Sequence, residues 1–334
     1  MQQFVVDIEN KDFNFKVEPL ALDVMTANDL LVRPLAVAVN PVDTKLYQNA
    51  LNQAQQNKVL GYDAVAEVVA MGDQVNGFQV GDKVFYAGDM TRSGSFADQQ
   101  LIDWQLVGKA PSKLSLTQSA AFPLVSITAY EALFDKLSIS ENRVDNRNKS
   151  LLIIGGAGGV GSIAIQLAKR VGLQVIATAS RESSKKWCLA MGADKVIDHY
   201  QPLKAQLEKA IQAEVDYILC AADSDTHMQN MAESIKPFGE ICLLVSTGKE
   251  TDLNVFKNKS VSIHWEFMFS RSLYQTKDRF LQGQILTKIA TIIDQQEFQP
   301  IDSQQLTGLN ANNLKIALAR IAKGDMCGKL VIEC

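Results

Sequence analysis

The sequence predicts an α/β protein: a doubly wound parallel sheet in its second part, preceded by a smaller β-rich domain. Three observations predict this. The apolar run "LLIIGGAGGVGSIAIQLAK", Leu151 to Lys169, is broken by a cluster of glycines. After it, short apolar strands alternate with helical or polar stretches, the rhythm of a parallel sheet with helical crossovers. Residues 1–125, by contrast, read as short alternating strands with Gly/Asp turns and little helix.

In the first domain, "AEVVAMGDQVNGFQVGDKVFYAG" (66–88) carries turn signals at Gly72-Asp73, Asn76-Gly77 and Gly81-Asp82, as a small rolled β domain requires. The run at 151–169 is not a membrane span, which needs about 20 continuous apolar residues in one helix. Gly155, Gly156, Gly158, Gly159 and Gly161 crowd into it, and each costs a helix interior about 1 kcal/mol. The parse is a buried strand at Leu151–Ile154, a turn from Gly155 to Gly161, and a helix. Along that helix Val160, Ile163, Ala164, Leu167, Ala168 and Val171 recur at helical spacing. Further strands are expected at 173–180, 194–199, 214–222, 239–246 and 260–267, with helical or polar stretches at 181–191 and 202–213.

Strand, glycines and helix in this order form a phosphate-binding turn. Gly156, Gly158 and Gly161 satisfy G-x-G-x-x-G. The first allows the tight turn, the second lets a diphosphate meet bare backbone, and the third lets helix and strand pack closely. Ala157, Gly159 and Val160 complete the turn, and the helix N-terminus offers N–H groups to the anion. Such a turn can also be purely structural. Nucleoside-triphosphate loops place Lys and Ser/Thr after their last glycine, whereas Gly161 is followed by Ser162-Ile163. A Rossmann dinucleotide site is therefore expected. An NAD site wants an acid at the end of the second strand; this chain has Ser180-Arg181 followed by Lys185 and Lys186. A hydroxyl and a guanidinium suit a 2′-phosphate, so NADPH is the expected cofactor, with Lys186 read as helix surface.

The net charge of −4 comes without a basic stretch interleaved with aromatics, which argues against a nucleic-acid partner. The start, "MQQFVVDIENKDFNFK", has charges where a signal peptide needs an apolar core, so neither membrane nor export is expected and the location reads as cytoplasmic. Five cysteines, Cys188, Cys220, Cys242, Cys327 and Cys334, include no CxxC pair and read as reduced thiols.

Several stretches together resemble the medium-chain dehydrogenase/reductase superfamily, in its zinc-free, quinone-oxidoreductase-like branch, often labelled zinc-type alcohol dehydrogenase-like. They are "NPVDTKLY" (40–47), "LGYDAVAEVVAMG" (60–72), "VGDKVFYAG" (80–88), "AAFPLVSITAYEAL" (120–133), "GGAGGVGSIAIQLAK" and "GKLVIE" (328–333). The resemblance implies a GroES-like catalytic domain from 1–125 and 269–334, a Rossmann domain from 126–268, and an active site in the cleft between them. It also implies that zinc alcohol dehydrogenases carry Cys where this chain has Asn40, and His-Glu where it has Tyr62-Asp63. The first 125 residues contain neither Cys nor His, and zinc takes sulfur or imidazole ligands, so no metal is expected.

By the same resemblance Asn40 sits near the nicotinamide and the acceptor, with Asp43 and Lys45 behind it; read alone, Asn40-Pro41 is a turn with Asp43 as a cap. Tyr47 and Tyr62 are the candidate hydroxyls for a developing oxyanion, or amphipathic wall residues. Asp63 is a carboxylate beside the cleft or a turn residue. Thr128 falls near the nicotinamide ribose and phosphates and Ser246 beside the nicotinamide; His199 meets the adenosine end or is a structural histidine at a strand end. Phe267 and Phe269 wall the acceptor pocket or belong to the core. Without a Lewis acid, hydride transfer suits an acceptor that is already electrophilic, a quinone or an α,β-unsaturated carbonyl. The alternatives are an NADP-linked alcohol or aldehyde dehydrogenase, and a nucleotide-binding sensor or RNA-associated protein without turnover. The strand "SVSIHWEF" would be an apolar sheet edge, which points to a homodimer.

Overall fold

The computed structural model describes residues 1–10, 12–55, 57–211, 214–248 and 250–334. The chain divides into two compact units, Met1–Ile127 with Phe269–Cys334, and Thr128–Met268. Strands β1 (Gln2–Val6), β2 (Phe15–Pro19) and β3 (Asp29–Val39) precede helix α1 (Pro41–Asn52). Next come β4 (Ala64–Met71), β5 (Lys83–Tyr86), β6 (Gln100–Asp103), β7 (Gly108–Lys109), α2 (Leu116–Ala120) and α3 (Pro123–Tyr130). Then follow β8 (Ser150–Ile154), α4 (Gly159–Arg170), β9 (Gln174–Thr178), α5 (Glu182–Ala190), β10 (Lys195–Ile197) and α6 (Leu203–Ile211). β11 (Val215–Cys220), α7 (Ser224–Ser234), β12 (Ile235–Leu243) and β13 (Ser262–Trp265) complete the second unit. The chain closes with α8 (Ser270–Leu273), α9 (Leu281–Asp294), β14 (Asp302–Thr307), α10 (Ala311–Ala322) and β15 (Lys329–Glu333).

The first unit is built on a sheet of order β14-β15-β3-β4-β5-β7, with β6 also paired to β3 and a separate β1-β2 hairpin. The last strand of the chain thus lies inside the sheet, antiparallel to β3 with Leu330 opposite Val39. Val32, Val37, Val39, Val65, Phe85, Val331 and Ile332 are fully buried, and since the adjacent Val331 and Ile332 point to opposite faces, β15 is covered on both sides. Pro34 sits at an irregularity in the β3–β4 register, where a missing N–H is tolerated.

One expectation for this unit is corrected. The stretch 48–59 reads as a polar loop in a domain with little helix, yet α1 runs through to Asn52. Pro41 starts it with its fixed φ, a favoured first helical residue, and its buried face is Asp43, Tyr47 and Ala50. An aspartate on that face breaks the apolar stripe by which an amphipathic helix is recognised. Gln56, within the same stretch, lies outside the described residues.

The second unit holds the expected doubly wound sheet, order β10-β9-β8-β11-β12-β13, all pairs parallel. Each strand lies within or overlaps its expected stretch. α5 and α6 do likewise, with residues 212 and 213 of the second stretch outside the described ones. All five residues of β8 are buried, as a strand covered on both faces must be. Leu152, Ile154, Ile176, Ile218, Met231 and Ile241 form the core. The strand order reverses between β8 and β11, and the carboxyl edge of the sheet at such a reversal is the ligand position in folds of this type.

Candidate functional site

The glycine turn follows β8 at this reversal. Gly155 has φ +85°, a left-handed conformation that glycine adopts without strain. Its N–H donates to Thr178 Oγ1 (3.1 Å), and the Gly156 N–H donates to the Thr178 carbonyl (3.3 Å), which ties the turn to the end of β9. The three motif glycines then differ in what a side chain would meet. A Cβ at Gly156 would lie 2.7 Å from Ala177 Cβ, and one at Gly161 would lie 2.4 Å from the Gly155 carbonyl oxygen. At Gly158, the N-cap of α4, the nearest neighbour is 3.6 Å away. Packing explains the first and third glycines; at the second a Cβ would make only an ordinary van der Waals contact, so no clash in the fold requires this glycine, and a group needing bare backbone suits it. Gly159 and Val160 begin α4 and are half-buried, and Ala157 is buried. A dinucleotide's diphosphate therefore fits the residues present.

Since every strand of this sheet is parallel, the predicted binding residues that follow strands share its carboxyl edge. Ser180 and Arg181 follow β9, with Arg181 at the N-cap of α5 and Lys185 half-buried in that helix. The Ser184 hydroxyl donates to the Arg181 carbonyl (2.8 Å) and fixes the start of the helix. His199 follows β10, half-buried, its ring 4.4 Å from that of Tyr200 and 6.2 Å from that of His227. Burial lowers the pKa of His199, which favours neutral imidazole. Ser246 follows β12 and is exposed, and Phe267 follows β13, 45% exposed. Thr128 is buried in α3. Lys186 pairs with Glu182 on the exposed face of α5 (3.8 Å), the surface role expected. Two positions were not anticipated: Thr178, the anchor of the glycine turn, and Trp187, whose Nε1 donates to Ser162 Oγ (2.8 Å), itself bonded to the Gly158 carbonyl.

The first unit gathers a second set of polar groups. The Asn40 side-chain amide donates to Asp63 Oδ2 (2.9 Å), whose other oxygen accepts the Leu124 N–H (2.7 Å). Asp43 uses both oxygens on backbone, accepting from the N–H of Asn40 (2.8 Å) and of Gly61 (3.1 Å). All three side chains are buried. Burial pushes the Asp43 carboxyl up to about 7 and raises that of Asp63 against the pull of Lys329, the Leu124 N–H and Asn40. The sequence reading missed Lys329. Its ammonium, 3% exposed as a residue, reaches Asp63 Oδ2 (2.9 Å) and Asn40 Oδ1. The available signal was a lysine heading the apolar strand "KLVIE".

Two expectations give way here. Tyr47 is fully buried and its hydroxyl is spent on backbone, accepting from the Asn14 N–H (2.8 Å) and donating to the Asn10 carbonyl (3.0 Å). With its ring against Phe13 and Phe15, it locks the β1-β2 connection and is not a reacting hydroxyl. Asp43, both oxygens engaged, is a positioning residue that holds α1 against the Gly61 turn. Tyr62 differs: its buried hydroxyl has no hydrogen-bond partner among the described residues. Burial raises its pKa, with Asp43 and Asp89 adding to the effect, so it remains a protonated donor. Its ring meets Phe269 edge-on at 5.5 Å.

A zinc ion does not fit the positions where the family resemblance would place its ligands. Zinc needs deprotonated donors with free lone pairs. Asn40 Oδ1 and Asp63 already face an ammonium, and a phenol and an amide stand where sulfur or imidazole is needed.

Two family models match the chain: a zinc-binding dehydrogenase domain over residues 159–282, and an alcohol dehydrogenase GroES-like domain over residues 26–112. A zinc-type alcohol dehydrogenase-like protein of Staphylococcus aureus (strain MSSA476) is 44% identical over 92% of this chain and 91% of its own. A chloroplastic quinone-oxidoreductase homolog of Spinacia oleracea is 27% identical over 92% and 90%. The crystal structure of Escherichia coli quinone oxidoreductase complexed with NADPH superposes with a TM-score of 0.84 at 18% identity, covering 100% of both chains; this last likeness is one of fold.

Proposed function

Because this chain belongs to the medium-chain dehydrogenase/reductase superfamily, a family of oxidoreductases served by nicotinamide cofactors, we propose that it is a metal-independent NADPH-dependent reductase of quinones or α,β-unsaturated carbonyls. The single observation that carries the reading is that no clash requires a glycine at position 158, between two glycines whose own lack of a side chain is explained by packing. The turn from Gly156 to Gly161 holds the diphosphate on backbone N–H groups. Ser180, Arg181 and Lys185 hold a 2′-phosphate by charge-assisted hydrogen bonds. His199 meets the adenosine, and Thr128, Ser246 and Phe267 the nicotinamide half.

When bound, the cofactor supplies the hydride. The protein's own part is to bind, orient and exclude water. Tyr62 is the hydroxyl with a donor to spare, suited to a carbonyl oxygen that gains negative charge, and Phe269 keeps its surroundings apolar. A quinone or enone is electrophilic without a Lewis acid, in keeping with a polar cluster that holds an ammonium. The spinach protein, named for quinone chemistry, supports the same acceptor class. The chain works as a homodimer through the edge strand β13, and in the cytoplasm, where its five cysteines stay reduced.

The test follows the absorbance of NADPH and of NADH separately against quinones, enones and aldehydes, with and without a chelator. The expected outcome is chelator-insensitive NADPH oxidation by quinones or enones. Arg181→Ala weakens NADPH binding about tenfold or more and leaves NADH unchanged. Chelator-sensitive aldehyde reduction would replace this reading with the alcohol dehydrogenase one.

A further inference from the structure

Lys329 opens β15 in the interior of the first unit, and its ammonium has three acceptors: the Val39 carbonyl (3.3 Å), Asp63 Oδ2 (2.9 Å) and Asn40 Oδ1. An ammonium has three N–H donors and no acceptor, so its inventory closes within the protein. Asn40 is gripped at both ends, its oxygen on the cation and its nitrogen on the Asp63 carboxylate (2.9 Å). A flipped amide would turn NH2 toward the ammonium and oxygen toward the carboxylate, two repulsive contacts in a buried place where they are costly. Only one orientation survives, and it leaves the amide's second N–H for a partner outside the cluster. Asn40, Tyr62 and Asp63 are also the positions whose donors fail to fit a zinc ion.

We propose that the Lys329 ammonium is an internal cation built in where zinc-dependent relatives carry their metal, and that Lys329 is the positioning residue that fixes which end of the Asn40 amide is offered. The charge comes from the chain itself, so no metal is recruited. Every group involved lies in the first unit, whatever acceptor the enzyme takes.

Proton–nitrogen NMR of the full-length, nitrogen-15-labelled chain tests this. Solvent-exposed lysine ammonium groups exchange too fast to be seen, whereas a caged one gives a correlation. The expected result is an ammonium correlation that vanishes in Lys329→Arg and persists in excess zinc, with zinc content after gel filtration well below one per chain. The Asn40 side-chain amide pair, identified by its loss in Asn40→Ser, stays near its wild-type position in Lys329→Arg. It shifts and exchanges faster in the Lys329→Met/Asp63→Asn double variant, which removes both charges together and leaves the rest of the spectrum in place. Absence of a caged ammonium overturns the proposal, as does stoichiometric zinc that erases its signal. An Asn40 pair unmoved in the folded double variant overturns the positioning role. Zinc content and the absence of any caged ammonium are read on the wild-type chain, so these two outcomes decide even where a variant does not fold. They also decide if no quinone or enone is turned over, so a failed acceptor assignment is told apart from a failed cation.

Discussion

Asp43 imposes a pH dependence from a single side chain. Burial lifts its carboxyl to about 7 from an ordinary 3.8, so between those values the folded chain keeps a proton that the unfolded chain releases. Its contribution to stability is complete below the ordinary value and is lost as the pH rises through the folded one. Urea midpoints of the wild type should therefore decline across this window relative to Asp43→Asn, and parallel profiles would contradict the burial argument. Lys329→Met acts differently, leaving Asp63 at 0% exposure without its cation. Breaking a buried pair from one side costs about 3–5 kcal/mol, and a denaturant titration that shows less than about 1 kcal/mol would mean the pair is not formed. Single residues were legible in sequence only where their surroundings are local. Asn40 and Asp43 are three positions apart and one bonds the other. Tyr47 was misread because the carbonyl that receives its proton lies 37 residues away, at Asn10.

Among elements, the glycine turn separates binding from folding within one motif. Gly161→Ala presses a methyl group against two carbonyl oxygens at 2.4 and 2.6 Å and should cost stability, about 1–3 kcal/mol or more by overpacking. Gly158→Ala meets nothing closer than 3.6 Å at an ordinary φ of −72°, so the fold should survive while dinucleotide affinity falls. Thermal unfolding and coenzyme titration of the two variants check this, and equal loss of stability in both would remove the distinction. The strands of the parallel sheet were readable because each is a short apolar run between polar punctuation. α1 was not, since its inward face spends one of three positions on a carboxylate.

The whole molecule raises the question of its free sheet edge. β13 closes one side of the parallel sheet, with Trp265 50% exposed, and an uncovered edge invites pairing with a second copy. Light scattering should give twice the chain's mass, with Trp265→Asp returning the monomer; a wild-type monomer would refute the pairing. At this scale sequence reading is weakest: Lys329 and Asp63 are 266 positions apart, and no local pattern announces that they meet.

The place of β15 between β14 and β3 has a consequence for the order of events during synthesis. A ribosome delivers the parallel sheet whole, and it can collapse while translation continues. The β-rich part must wait with a gap beside β3 and with the Asp63 carboxylate lacking its counter-ion until β15, Lys329–Glu333, has been made and released. A stop codon just before Lys329 would strand an acid in the apolar interior and hand the quality-control machinery a sheet that lacks an inner strand.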